Sequence, residues 1–280
     1  MCLIAFALHA DPACPLLIAA NRDEFLDRPT AALHRWTLAD GTSIVAGRDL
    51  RDGGTWLGLS PQGRVAMLTN VRQTQAGPGP RSRGELVTRW LQGDVDEDRL
   101  AAGIDPSAYG GFNLVVGDFH RARWSWLGNR DPEAPHEARP IALHRRALGA
   151  GVYGLSNASL DTPWPKTQRL KRAMDDSLAR VHAPDGTADW LQPLAQALTD
   201  SAPAPALELP HTGVPDDMER ALSSPFVRMA ERGYGTRSSL VVSARPAATG
   251  WDVQMDEWTH DHGDVARLDP ARHQRETLVW

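Results

Sequence analysis

The residues in this chain best suited to chemistry begin at its second position. Cys2 opens an apolar run, Leu3-Ile4-Ala5-Phe6-Ala7-Leu8, whose continuous hydrophobicity predicts a fully buried strand. Removal of Met1, which a small second residue permits, would give Cys2 a free α-amine beside its thiol. An α-amine titrates near pH 8, about where a thiol does, so it can serve as general base for its own side chain. Two readings of Cys2 are open, an activated nucleophile or a small buried hydrophobe.

A second cluster of chemical groups, Asn21-Arg22-Asp23-Glu24, follows the apolar run Leu16-Leu17-Ile18-Ala19-Ala20. Between the two runs lies His9-Ala10-Asp11-Pro12-Ala13-Cys14-Pro15, whose Asp-Pro step suits a turn. The runs therefore predict an antiparallel hairpin bent near Asp11-Pro12, with paired positions summing to about 23. Cys2 then lies beside Asn21-Arg22, where the chain is expected to leave the strand at the sheet edge. Cys14 falls at the other end, about 20 Å away and outside disulfide reach. A guanidinium at Arg22 would stabilise the Cys2 thiolate and lower its pKa, and Asp23 could orient the amine or the thiol. The same tetrapeptide is also compatible with a solvated turn whose Arg-Asp pair contributes little.

Further elements must hold these groups in place. Thr55–Ser60 and Arg64–Asn70 flank Pro61-Gln62-Gly63 and predict a second hairpin. It ends on Asn70, a donor for a developing oxyanion or a turn former. Gln73 to Arg83 is Gly/Pro/Arg-rich and predicts an exposed loop. Ser82 and Glu85 have the spacing of a capping box ahead of a helix that buries Leu86, Val87, Trp90 and Leu91. Phe112–Gly117, Arg123–Leu127, Pro140–Leu143 and Gly151–Asn157 predict short strands of a meandering antiparallel sheet. Thr162-Pro163-Trp164-Pro165 announces a helix carrying Leu170, Met174, Leu178 and Val181, followed by a second over about Ala188 to Leu198. Ser201 to Pro215 reads as a loop, and Tyr234–Ser243 and Trp251–Trp258 as a closing strand pair. Strands first, helices mid-chain and strands last predict an α+β fold with largely antiparallel sheets covered by helices, the N-terminal hairpin at the centre.

Composition narrows the function classes. The 280 residues are 41% hydrophobic and 23% charged, ordinary for a soluble globular protein. A formal charge of −5 with dispersed basic residues gives no reason to expect nucleic acid. No apolar run reaches the length of a membrane span, and the start lacks the pattern of a cleavable leader. Two cysteines exclude a disulfide scaffold, and the expected location is cytoplasmic. His260-Asp261-His262 has the spacing of a two-histidine metal site on a strand, or of a solvated stretch. No metal and no resident cofactor are expected. His9, His34 and His144 stand alone and read as surface or packing residues.

Met1-Cys2 with Asn21-Arg22-Asp23-Glu24 resembles the NRDE family, whose eukaryotic members are the transport-and-Golgi-organisation proteins. The resemblance continues in order through Gly53-Gly54-Thr55-Trp56-Leu57-Gly58, Leu68-Thr69-Asn70, Arg83-Gly84-Glu85-Leu86-Val87, Gly111-Phe112-Asn113-Leu114, Tyr153-Gly154-Leu155-Ser156-Asn157, Thr162-Pro163-Trp164 and Tyr234-Gly235-Thr236-Arg237. More distantly the pattern is similar to N-terminal nucleophile hydrolases of the cholylglycine and penicillin V hydrolase group. That likeness implies one domain over residues 1–280, a four-layer αββα sandwich, and hydrolysis of a non-peptide C–N bond in a small acylated substrate. It also implies roles for Cys2 as nucleophile, Arg22 and Asp23 as charged partners, Asn70 and Asn157 as oxyanion and amine-holding asparagines, and Arg237 as the late arginine. One departure stands out. The hydrolases place two residues between the arginine and the aspartate, whereas Arg22 and Asp23 are adjacent and so face opposite sides of a strand.

The NRDE resemblance also implies a reading without catalysis. The family has been connected with haem mobilisation and with acyl-CoA or lipid metabolism, so the chain could hold haem or a lipid, with Cys2 as a thiolate ligand. It has no C-x-x-C-H attachment motif. A trafficking adaptor finds no support in a chain without a charge block or a long exposed amphipathic helix.

Overall fold

The computed structural model describes residues 2–73, 77, 79–137, 141–181, 189–262 and 266–280. Met1, parts of the Gln73–Arg83 loop, Pro140 and Ala188 lie outside them. The chain divides into two compact units. The first comprises Met1–Asp27, Ala150–Ser156 and Asp161–Val279, and the second Arg28–Gly149, Asn157–Leu160 and Trp280.

The expected hairpin is present as β1 (Cys2–Leu8) and β2 (Leu16–Phe25). Its register pairs Cys2 with Arg22 and Leu8 with Leu16. One expectation is corrected here. Asn21-Arg22-Asp23-Glu24 does not emerge at a sheet edge but continues β2, with Asn21, Arg22 and Asp23 buried. The reason is a neighbour the hairpin alone could not reveal, a long C-terminal strand that pairs along the far side of β2 and satisfies its backbone groups.

The second unit is built on one seven-stranded antiparallel sheet in sequence order. Its strands are β3 (Thr30–Thr37), β4 (Ser43–Asp49), β5 (Leu57–Leu59), β6 (Arg64–Asn70), β7 (Phe112–Asp118), β8 (Arg123–Gly128) and β9 (His144–Leu148). Helices α1 (Gly84–Leu91) and α2 (Glu97–Ala102) lie in the β6–β7 connection. Alternation places Ala66, Leu68, Phe112, Leu114 and Val116 on one face, where Leu86, Val87, Trp90 and Leu91 of α1 join them in a core. The buried face of α1 is as expected, but the capping box does not form. Ser82 makes no side-chain cap, and the Glu85 carboxylate instead takes Arg81 at 2.7 Å and the Tyr109 hydroxyl. Gly117 has a steric reason to be glycine, because a Cβ there would overlap the Trp124 ring across the β7–β8 ladder.

Returning to the first unit, β10 (Gly151–Leu155) leaves the meander and pairs with β1. Then come α3 (Pro165–Val181), α4 (Gln192–Leu198), α5 (Asp216–Ala221), β11 (Arg228–Met229), β12 (Tyr234–Pro246), β13 (Trp251–Thr259) and β14 (His273–Val279). The sheet order is β10-β1-β2-β12-β13-β14, with β11 on β12, so the N-terminal hairpin is central in this sheet as expected. Leu3, Ala5, Ala7, Leu17 and Ala19 face α3 and α4, packing against Leu170, Met174, Leu178, Leu194 and Leu198. The even-numbered residues Cys2, Ile4, Phe6, Ile18, Ala20 and Arg22 lie on the opposite face by strand alternation.

Replacing Gly117 by Ala should lower stability by about 1–3 kcal/mol through overpacking against Trp124, read as a lower urea midpoint at unchanged slope.

Candidate functional site

β1, β2 and β12 carry the expected first-unit residues on three adjacent strands. Cys2 pairs with Arg22, and Arg22 pairs on its other side with Ser238, giving a cross-strand row Cys2–Arg22–Ser238. Cys2 and Arg22 are each 7% exposed. The Arg22 guanidinium reaches Glu24 at 3.7 Å through Nη2, while its buried Nη1 has no hydrogen-bond partner among the described residues. A buried N–H left unsatisfied costs about 1–3 kcal/mol, so this nitrogen is available to donate to an anion or another acceptor.

The ladder between β2 and β12 is irregular at one place. Asp23 pairs with Thr236 and Arg22 with Ser238, so three residues of β12 oppose two of β2 and Arg237 is the extra one. This β-bulge frees Arg237 from the ladder and re-aims its side chain. Its Nη1 donates to the carbonyls of Phe25 and Leu26, both at 2.8 Å. Burial lowers the Arg237 pKa, and the charge of Arg22 acts in the same direction. The two guanidiniums therefore share one neighbourhood.

Asp23 lies on the helix-facing side of the sheet with Asn21, away from the face of Cys2 and Arg22. The Thr236 hydroxyl donates to Asp23 Oδ1 at 2.7 Å and accepts from the Val227 N–H. Asp23 thus acts on Cys2 through its charge and through the order it gives β12. Burial pushes the Cys2 thiol up and Asp23 and Glu24 add to that, while the N-terminal positive charge and, more weakly, Arg22 oppose it. The expected depression by Arg22 is present but outweighed by desolvation.

Cys14 is equally free and buried, at the other end of the hairpin, with its thiol donating to Leu16 O. Burial raises its pKa to about 11. Asn70 and Asn157 belong to the second unit, where the Asn157 amide donates to both the backbone carbonyl and the Oδ1 of Asn70, at 3.0 and 3.1 Å. Those two hydrogen bonds fix Oδ1 of Asn70 toward Asn157, and Asn70 Nδ2 donates to the Val71 carbonyl at 3.4 Å. In the first unit, Ser156 donates to the Cys2 carbonyl at 3.1 Å.

Several ordering residues escaped the sequence reading. Asn21 Nδ2 donates to Leu198 O and Pro225 O, so its Oδ1 accepts the Ser239 hydroxyl at 2.6 Å. With its only proton used there, Ser239 Oγ must accept from His260 Nε2, 2.9 Å away. His262 Nε2 donates to the Thr236 carbonyl, also at 2.9 Å. The Nε2 atoms of His260 and His262 therefore serve β12, which favours neither alternative drawn from their spacing. The signal that could have found these residues is the polar run Thr236-Arg237-Ser238-Ser239 at the start of an otherwise apolar strand.

The match to the family model described as Transport and Golgi organisation 2 spans residues 1–258. The chain belongs to the Transport and Golgi organisation 2 family. The Transport and Golgi organization protein 2 homolog of Homo sapiens is 34% identical over 259 residues, covering 86% of this chain and 88% of that protein. The Transport and Golgi organization protein 2 of Drosophila melanogaster is 27% identical over 270 residues, with 86% and 87% covered. Among solved structures, the C2A mutant of conjugated bile acid hydrolase from Clostridium perfringens matches with a TM-score of 0.51 at 8% identity, covering 99% of this chain and 97% of that one. At that identity the likeness speaks for the fold alone. The α+β, N-terminal-nucleophile-hydrolase-like class expected from the sequence is that of this Transport and Golgi organisation 2 family member. No described helix is long and apolar enough to cross a membrane.

Burial and the neighbouring His262 lower the His260 pKa from 6.5 to about 4. An unfolded chain protonates this imidazole near 6.5, so its contribution to stability is complete above that pH and is lost as pH falls toward about 4. The wild-type urea midpoint should therefore drop between pH 6.5 and 4 by more than that of His260→Gln, which keeps the donor to Ser239 without the titration.

Proposed function

We propose that this family member is an N-terminal cysteine amidohydrolase acting on a non-peptide amide bond of a small acylated substrate. The observation that carries the reading is the buried row in which Cys2 faces Arg22, whose Nη1 has no hydrogen-bond partner among the described residues. A thiolate or a developing oxyanion is the kind of group that satisfies such a nitrogen. The fold neighbour from Clostridium perfringens is a conjugated bile acid hydrolase, and hydrolysis of an acyl conjugate is the reaction class carried over here.

The chemistry requires that Met1 be removed, so that the α-amine of Cys2 can take the thiol proton that burial otherwise holds in place. The thiolate attacks the amide carbonyl and forms a tetrahedral adduct. On this reading, which for these two residues rests on the resemblance to the hydrolases, the Asn70 amide turns its Nδ2 from the long bond to Val71 O to hold the oxyanion, and Asn157 orients it. The protonated amine then gives its proton to the leaving nitrogen as the C–N bond breaks. Water, deprotonated by the same amine, cleaves the resulting thioester and releases the acid. Arg22 stabilises the thiolate, Arg237 adds positive charge beside it, and Asp23 acts as an ordering charge.

Intact-mass measurement of the native protein should show loss of Met1, and incubation with a panel of N-acyl amino acids and N-acyl amines should show release of the free amine. Cys2→Ser should lose most turnover and Cys2→Ala all of it. Asn70→Ala should lower kcat by about 10²–10³-fold, as removal of one oxyanion donor does. A rate unchanged in Cys2→Ala, or a retained Met1 in an active protein, overturns the proposal.

A further inference from the structure

The bulge at Arg237 is the irregular point of the β2–β12 ladder, and it needs support from outside the ladder. Its backbone groups find partners away from β2. Thr236 N donates to Val227 O at 3.0 Å, and Arg237 O accepts from His260 N at 2.9 Å. Thr236 O is taken by the imidazole Nε2 of His262. On its inner side the bulge holds the charges around the thiol: the Thr236 hydroxyl binds Asp23, and Arg237 binds the carbonyls that follow Glu24.

His262 reaches this position under strain. Its φ is +59°, a left-handed conformation that costs a non-glycine residue about 1–2 kcal/mol. Its ring lies directly on Gly235, where any Cβ would overlap Cε1 and Nε2, and it packs beside Phe226 with ring centroids 5.9 Å apart. A strained residue, a glycine cleared to seat it and a side-chain donor aimed at the bulge carbonyl coincide in one place. Strain of this kind persists where surrounding contacts over-determine it, and it clusters near functional sites.

We propose that His262 is a positioning residue for the Cys2 site, locking the Arg237 bulge so that Thr236 and Arg237 hold Asp23 and the Arg22 neighbourhood in the arrangement that sets the reactivity of the thiol. The proposal rests on the reading of Cys2 as a nucleophile, but its test does not require turnover.

Iodoacetamide alkylation of Cys2 in the folded full chain, followed across pH by peptide mass with Cys14 as internal reference, separates the possibilities. Four proteins are compared: wild type, His262→Phe, His262→Gly and His262→Gln. The phenyl ring fills the seat over Gly235 without a donor. Glycine relieves the left-handed backbone without a donor, and glutamine restores an N–H. The Phe and Gly variants should displace the Cys2 midpoint by about one unit and change the neutral-pH alkylation rate about tenfold, with Cys14 unchanged. His262→Gln should recover most of the wild-type profile. Equal profiles in all four proteins, a Gln variant displaced as far as Phe, or Cys14 accelerating in parallel with a falling Tm would each overturn the proposal. Failure of the hydrolase reading shows separately, as amide turnover that survives Cys2→Ala.

Discussion

The pairing of β2 between β1 and β12 is the interaction on which the rest of the first unit depends. It takes a tetrapeptide of one amide and three charges, Asn21-Arg22-Asp23-Glu24, and runs it through the middle of a sheet with its backbone satisfied on both sides. Once there, strand alternation sorts the side chains. Asn21 and Asp23 turn toward the helices, where Asn21 ties Leu198 and Pro225 to the sheet and Asp23 receives Thr236. Arg22 turns the other way, into the row of Cys2. A slip of one residue in this register would exchange those faces and bury the guanidinium among the leucines of α3 and α4.

Charge burial follows from that placement. Arg22, Asp23 and Cys2 are all withdrawn from water, and the thiol is driven toward its neutral form despite a guanidinium on the adjacent strand. Desolvation wins because it acts on the whole thiolate, while the N-terminal and Arg22 positive charges are opposed by Asp23 and Glu24. Burial at this position favours the neutral thiol over the thiolate. Beside the thiol's row, Nη1 of Arg22 has no hydrogen-bond partner among the described residues.

The histidines show how polar groups in a sheet can order rather than react. Their spacing matched a metal pair, yet each Nε2 is committed to β12, one to Ser239 and one to the Thr236 carbonyl. The bulge at Arg237 accounts for much of this. An extra residue removes ladder partners from the backbone, and neighbouring groups must replace them. Val227, His260 and His262 do so.

The sequence by itself determined the hairpin, the nearness of Cys2 to Arg22 and its distance from Cys14, the long helix after Pro165, the buried face of α1 and the antiparallel α+β class. These follow from local hydrophobic period and turn chemistry, which one stretch of chain carries alone. It missed β3, whose pattern is broken by small residues and a bulge after Ala31, and β14, whose run His-Gln-Arg-Glu-Thr has no apolar period because it lies at a sheet edge. It put Gly151–Asn157 in the meander, but β10 joins β1 instead, and it placed a strand at Pro140–Leu143 where β9 begins only at His144. Only the tertiary structure decided that Asn21-Arg22-Asp23-Glu24 is the interior of a strand, that Arg237 sits in a bulge, and that Glu85 serves Arg81 and Tyr109 rather than a helix cap. Each of these depends on a partner many residues away, and no local pattern encodes which distant strand will supply the missing hydrogen bonds.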